Sequence, residues 1–319
     1  MIMSNSKTIA LHSAILLGFF LAQFVVPEFH HLAITRIMVL AVFAIGYNVL
    51  FGYTGLLSLG HAMFFASGLY GAGLLSFYFA LPAPQAFLVG VLIAFGVSVV
   101  MGLIMLRTSG VSFMIVSMLF AQVAYMASLY FSSVTRGEEG LMLPATNRVF
   151  DVFGFNVDLA NADIRYNIAF ALLLIAFLST LWLAKSHLGR SLIAIRENET
   201  RTMMLGYNVG RLKLIAFVLS GTFCGAAGAA YALLFAYVGA SFGSIQYSIE
   251  ALLFTLLGGA GTVIGPLLGT TLMFYLIDIA SNYTSAYMLV AGVVLVLLIL
   301  FFPKGIMGTI REKWARWLP

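Results

Sequence analysis

QAFLVGVLIAFGVSVVMGLIML, residues Gln85–Leu106, contains no charged side chain and no proline, and its apolar residues do not alternate with a period of two. A helix needs about 20 such residues to cross the roughly 30 Å hydrocarbon core of a bilayer. In lipid a helix satisfies its own backbone hydrogen bonds, and a lone strand does not. Similar blocks occupy Ile9–Val26, His31–Leu50, Gly55–Ala80, Val111–Phe131, Tyr166–Ala184, Leu212–Val238 and Ser285–Phe302. The alternation of an outer-membrane barrel is absent.

Composition agrees. Of 319 residues, 62% are hydrophobic and 8% charged, with a mean hydropathy of +1.06. Soluble domains carry about 25% charged residues, so this chain has too few to cover a water-facing surface. The expected fold is all-α: one polytopic transmembrane bundle over residues 1–319. The first block follows Lys7 but offers no small-residue cleavage site, so it reads as a retained helix and not a signal peptide. The single cysteine, Cys224, excludes an internal disulfide and a cysteine-based metal site.

Charge orients the spans. Residues 185–213 carry Lys185, Arg190, Arg196, Arg201, Arg211 and Lys213 against Glu197 and Glu199. The C-terminal tail carries Lys304, Arg311, Lys313 and Arg316 against Glu312. Loop 132–165 instead sets five acidic residues against Arg136, Arg148 and Arg165. The positive-inside rule makes the first two segments and both termini cytoplasmic, and loop 132–165 periplasmic. Parity then requires Tyr247–Ala280 to leave one side and return to it. Its centre, Gly258-Gly259-Ala260-Gly261-Thr262-Val263-Ile264-Gly265-Pro266, breaks helices. About eight clear spans plus this broken hairpin give about ten membrane segments.

Function is sought where glycine and polar residues interrupt apolar runs, since irregular backbone at membrane depth lines protein or water. Gly52, Tyr53, Gly55, Ser58, Gly60 and His61 form one such cluster; Glu250, Gly258, Gly259 and Gly261 form another. Both are candidate pathway segments, and both also suit tight turns and close packing. Ser58 with His61 lacks the third member that a hydrolase triad needs. Arg36, Glu250 and Asp278 fall toward the outer ends of their helices, where snorkelling or an external gate explains them. Gly221-x3-Gly225-x3-Ala229 and Gly261-x3-Gly265-x3-Gly269 place small residues on single helix faces, which suits helix packing or a subunit seam. No Gly-x4-Gly-Lys-Ser/Thr phosphate loop occurs, so any ATP driving transport is hydrolysed elsewhere. No nucleic-acid module is present.

Ordered stretches carry a family resemblance: GYTGLLSLGHAMFFASGLYGAG (52–73), LRTSGVSFMIVSMLFAQ (106–122), TRGEEGL (135–141), GRSLIAIRENETRTMMLGYNVGRLKLIAFVLSGTFCGAAGAAYA (189–232), SIEALLFTLLGGAGTVIGPLLG (248–269) and FFPKGIMG (301–308). Across nearly its whole length the chain resembles the permeases of branched-chain amino acid ABC importers, the LivM/LivH type. The resemblance implies a multi-pass inner-membrane subunit that is not itself an enzyme, with ATP and magnesium bound by partner ATPase subunits and no cofactor of its own. It implies a second permease, by family habit in a heterodimer, and a periplasmic substrate-binding protein. It makes loop 185–213 the ATPase-coupling segment, with Arg196, Glu197, Asn198, Glu199, Arg201 and Gly206 in that role. The loop departs from the Glu-Ala-Ala-x3-Gly form of other importers. Leucine, isoleucine and valine are the expected substrates; urea, short amides or other amino acids fit the same mechanism. An ion-coupled secondary transporter and an intramembrane enzyme are the competing classes.

Overall fold

The computed structural model describes residues 2–152, 155–284, 286–302 and 304–313; Ser285 and Arg316 lie outside them. Helices dominate: α1 (Ile2–Ala22), α2 (Glu28–Thr54), α3 (His61–Phe79), α4 (Ala83–Met105), α5 (Gly110–Tyr130) and the single turn α6 (Ser132–Thr135) come first. Then follow α7 (Ala162–Lys185), α8 (His187–Glu197), α9 (Glu199–Met204), α10 (Val209–Phe235), α11 (Ile245–Gly258), α12 (Gly265–Tyr283), α13 (Tyr287–Phe301) and α14 (Gly305–Lys313). Four short strands depart from a purely helical reading. β1 (Leu141–Met142) pairs antiparallel with β4 (Tyr237–Val238), and β2 (Val149–Val152) with β3 (Phe155–Asp158).

Among the described residues, six helices are long and apolar enough to cross a membrane: α2, α3, α4, α5, α7 and α10. The chain is therefore a multi-pass membrane protein. Of the remaining expected crossings, α12 has 19 residues, as many as α3, and the other three are shorter. α11 has 14 residues, about 21 Å of helix, well below the roughly 30 Å core. α13 has 15, and the apolar part of α1 is Ala10–Ala22.

The bundle is built around α2. Residues 37–50 of this helix are all buried, which is why its sequence is apolar on every face. α7, α10, α11 and α12 surround it. α4 and α5 turn Leu88, Leu92, Leu103, Val111, Leu119 and Val123 outward, surfaces that lipid solvates without cost. α10 sits close to α3 because both are thin at the crossing: a Cβ on Gly68 would lie within 2.8 Å of the Gly225 backbone. The Gly221/Gly225 face is thus consumed by α3 and α4. Gly269 likewise packs on α11, where a Cβ would meet the Phe254 backbone. Both small-residue patterns serve packing within the chain, but Gly261 lies in the turn before α12 and not on the expected helix face.

The junction between the second and third spans differs from the sequence expectation. The span expected to begin at Gly55 begins at His61, because α2 ends at Thr54 on Gly55 in the left-handed region, whose N–H bonds the Phe51 carbonyl. The expected hairpin Tyr247–Ala280 resolves into α11 and α12, joined by a turn at 259–264.

One end of the bundle carries loop 185–213 and α14; the other carries the β2–β3 ribbon. There Tyr166 donates to the Phe19 carbonyl, His31 Nε2 lies 3.6 Å from Asp163, and Arg148 donates to the carbonyls of Leu159 and Leu234.

Candidate functional site

Asn48 is a lone amide in an apolar helix, and its side chain is 0% exposed. An unpaired amide there would cost several kcal/mol by desolvation; instead both ends are paired. Its Oδ1 accepts from the Gly261 N–H at 2.8 Å and its Nδ2 donates to the Thr262 carbonyl at 2.9 Å. The side chain completes the hydrogen bonding of the α11–α12 turn where no helix can. The turn also closes on itself: the Thr262 hydroxyl donates to Gly259 O and accepts from Gly265 N–H.

The approach is close because Gly52 lies one helical turn below. A Cβ on Gly52 would stand 2.5 Å from the Gly261 nitrogen, nearer than two packed groups tolerate. Gly261 itself has φ +77°, which glycine adopts without the steric penalty of other residues. Gly258 and Gly259 line the same turn, against the Gly265 backbone and Gly308 respectively. Tyr53 is buried, with its hydroxyl unpartnered.

Onto this junction α8 delivers Arg196. Its Nη1 donates to the Gly52 carbonyl at 2.6 Å, and its Nη2 reaches Glu197 at 3.1 Å. Gly55 packs on the Arg196 side chain, and a Cβ on Gly261 would lie 2.6 Å from its Nη1. The structure therefore brings Gly52, Gly55, Gly259 and Gly261 together with Arg196 at one junction. Beside it a cavity of about 700 Å³ is lined by Arg196, Glu197, Thr262, Lys304, Arg311 and Glu312.

The rest of the loop is braced and then exposed. Ser186 caps α8 by accepting from Gly189 N–H, and Leu192 and Ile195 are buried. Asn198 breaks the helix and caps α9, accepting from Arg201 N–H. Glu199 pairs with Lys213 at 2.6 Å. Beyond this, Met203, Met204, Leu205 and Tyr207 stand in the open around Gly206, Met204 being 82% exposed. Sequence reading missed these four; the signal was a run of large apolar residues inside a charged loop.

Ser58 and His61 do not form a pair. The Ser58 Oγ accepts from Gly60 N–H, while His61 Nε2 meets the Ser220 hydroxyl at 2.8 Å. Ser220 donates to the Gly46 carbonyl, so Nε2 carries the hydrogen. His61 Nδ1 is buried without a partner. Gly60 packs under the Ser117 backbone, and Ser117 accepts from Leu59 N–H. These bonds fasten the α2–α3 loop to α5 and α10.

Glu250 lies apart from the junction. It lines a second cavity, of about 600 Å³, with Arg36, Tyr231, Gln246, Tyr247 and Asp278. Arg36 Cζ stands 5.3 Å from the Phe235 ring centre.

The family described as "Branched-chain amino acid transport system / permease component" matches residues 31–302. The LivM high-affinity branched-chain amino acid permease protein of Escherichia coli K12 is 26% identical over 297 residues, 88% of this chain and 70% of that protein. The autoinducer 2 import permease protein LsrC of Photorhabdus laumondii is 32% identical over 163 residues, 46% of this chain and 48% of LsrC. LivH of Escherichia coli K12 is 25% identical over 188 residues, 55% and 58% of the two chains. No solved structure matches the chain.

Proposed function

This chain belongs to the permease-component family of branched-chain amino acid transport systems, and we propose that it is the membrane-spanning subunit of an ABC importer that carries leucine, isoleucine and valine across the inner membrane. ATP is hydrolysed by partner ATPase subunits; a second permease of the LivH kind completes the pathway, and a periplasmic binding protein delivers the amino acid. In this reading loop 185–213 and α14 face the cytoplasm and loop 132–165 the periplasm. α1, the α11–α12 hairpin and α13 supplement the six long helices to about ten membrane segments.

The observation that carries the proposal is Arg196. It is built into the cytoplasmic loop and bonded to the carbonyl of Gly52 at the end of the central helix. The exposed Met203–Tyr207 edge offers an ATPase an apolar contact of the kind that anchors interfaces. A push on that edge moves α8, whose Leu192 and Ile195 are buried in the bundle. Arg196 passes the movement to α2, and Asn48 passes it to the hairpin turn. Alternating access needs such an element with two arrangements biased from one side. Gly52, Gly55, Gly258, Gly259 and Gly261 act at this cytoplasmic junction, and Glu250 acts higher in the pathway.

The test is uptake into vesicles holding this chain with its partner subunits and binding protein. Leucine accumulation that requires ATP supports the proposal. Uptake that ignores ATP and follows an ion gradient replaces it with a secondary transporter.

A further inference from the structure

The cavity around Arg36 and Glu250 is lined by opposite charges that form no ion pair with each other. Among the described residues, the ion pairs join His31 to Asp163, Arg196 to Glu197, Lys213 to Glu199 and Lys304 to Glu312. None involves Arg36, Glu250 or Asp278, although all three line one space. The Nε of Arg36 is buried with no hydrogen-bond partner, and the guanidinium faces the Phe235 ring. A charged side chain within a membrane helix is costly, and is retained facing a cavity or a partner. Arg36 stands eight residues into α2, about 12 Å along its axis, beyond an easy reach to the surface. Snorkelling therefore explains it poorly.

The remaining walls are of two kinds. Tyr231, Tyr247 and Gln246 add polar edges. Leu40, Phe254 and Met273 are buried together as an apolar floor contributed by α2, α11 and α12. The volume of about 600 Å³ lies in the roughly 300–1,000 Å³ range of small-molecule sites. An anion site needs only the arginine, and a cation site only the carboxylates. A space offering both, beside an apolar floor, suits a solute with a carboxylate, an ammonium and an aliphatic side chain.

We propose that this cavity is the recognition site within the membrane for a free aliphatic α-amino acid, Arg36 taking its carboxylate and Glu250, seconded by Asp278, its ammonium. The assignment rests on the importer reading above and adds that the permease itself tests the zwitterion. Specificity then has a second checkpoint after the binding protein. A buried site built to pair both charges rejects an analogue lacking one, because a protein charge is left unpaired.

The experiment uses the assembled transporter in proteoliposomes with ATP and tritiated leucine. Glu250→Gln removes one pairing charge at nearly constant volume, and Arg36→Gln removes the other with a shorter, still polar side chain. A lost charge-assisted hydrogen bond to the ligand lowers uptake about 10- to 100-fold, and Arg36→Lys, which keeps the charge but not the planar fork, recovers part of it. Co-purification of the partner subunits verifies assembly. Variants that assemble and transport at the wild-type rate overturn the assignment. If they do not assemble, Ser281→Cys decides in an otherwise wild-type complex, because Ser281 lines the same cavity. Block of leucine uptake by a cationic thiol reagent supports the site, and full uptake after complete labelling overturns it. Absence of ATP-dependent uptake in the wild type itself would sink the importer reading and not this cavity alone.

Discussion

Replacing Asn48 by leucine keeps the branched side-chain shape, at a larger volume, and removes both of its hydrogen bonds to the α11–α12 turn. The two backbone groups at stake, Gly261 N–H and Thr262 C=O, are left in a buried setting. Side-chain hydrogen bonds between membrane helices average about 0.6 kcal/mol, so two give a floor of roughly 1.2 kcal/mol. An orphaned buried backbone group costs about 1–3 kcal/mol, which sets a ceiling near 6 kcal/mol for two. A middle value of about 3 kcal/mol corresponds to a factor of roughly 150 in the opening equilibrium of the turn, at about 1.4 kcal/mol per tenfold. Amide exchange reads this directly. In the purified complex, a peptide covering residues 259–265 should exchange about 10- to several-hundredfold faster in Asn48→Leu, while α4 exchanges as before. Unchanged exchange at the turn would mean that Thr262 and the glycines hold it unaided. The route from α2 to the hairpin would then be wrong.

Other variants probe the neighbouring links. Arg196→Met should assemble yet lose most ATP-driven uptake, with Arg196→Lys intermediate, since only the fork reaches the Gly52 carbonyl and Glu197 together; wild-type uptake in both refutes the linkage. Met204→Asp puts a charge on the 82%-exposed tip and should weaken co-purification of the ATPase by about tenfold, a typical cost of 1–2 kcal/mol for an interface anchor; an undiminished yield removes that edge from the interface. Ser220→Ala strands the Nε2 hydrogen of His61 at a cost of about 1–3 kcal/mol, seen as earlier heat-induced loss of the monodisperse complex. If Ser58→Ala abolished a chemical conversion by the purified chain, the enzyme class would return.

How much of this was legible beforehand follows from the range of each interaction. The helix-breaking run Gly258–Pro266 and the Gly52–His61 break are local properties of the backbone, and both lie at real interruptions. The long spans follow from composition over a window. Asn48 was invisible, because a single amide inside His31–Leu50 carries no local signature of what it binds. Its partners stand 213 and 214 positions away. Arg36, Glu250 and Asp278 stand out singly in the sequence as charges toward the outer ends of their helices, but only the packing of α2 on the hairpin shows that they line one cavity. The glycine faces could equally have suited a second subunit, and contact geometry within the chain decided the matter.

The same two elements meet at both places, which makes a lever of them. α2 carries Arg36 near one end and Asn48 near the other; the hairpin carries Glu250 opposite the first and Gly261 opposite the second. Twelve residues separate Arg36 from Asn48, about 18 Å of helix. A tilt of about 10° pivoting on the Asn48 junction would displace Arg36 by about 3 Å, a full hydrogen-bond length, enough to release a carboxylate. The seam between pivot and cavity runs past Ala44, whose carbonyl accepts from the Thr255 hydroxyl at 3.3 Å. Joining these positions as Ala44→Cys with Thr255→Cys, in a Cys224→Ser background, would pin α2 to α11. The oxidised complex should then hydrolyse ATP yet fail to accumulate leucine, and a reductant should restore uptake. Undiminished uptake with the cross-link fully formed would show that α2 and the hairpin move as one body, and that release of the amino acid depends on some other displacement.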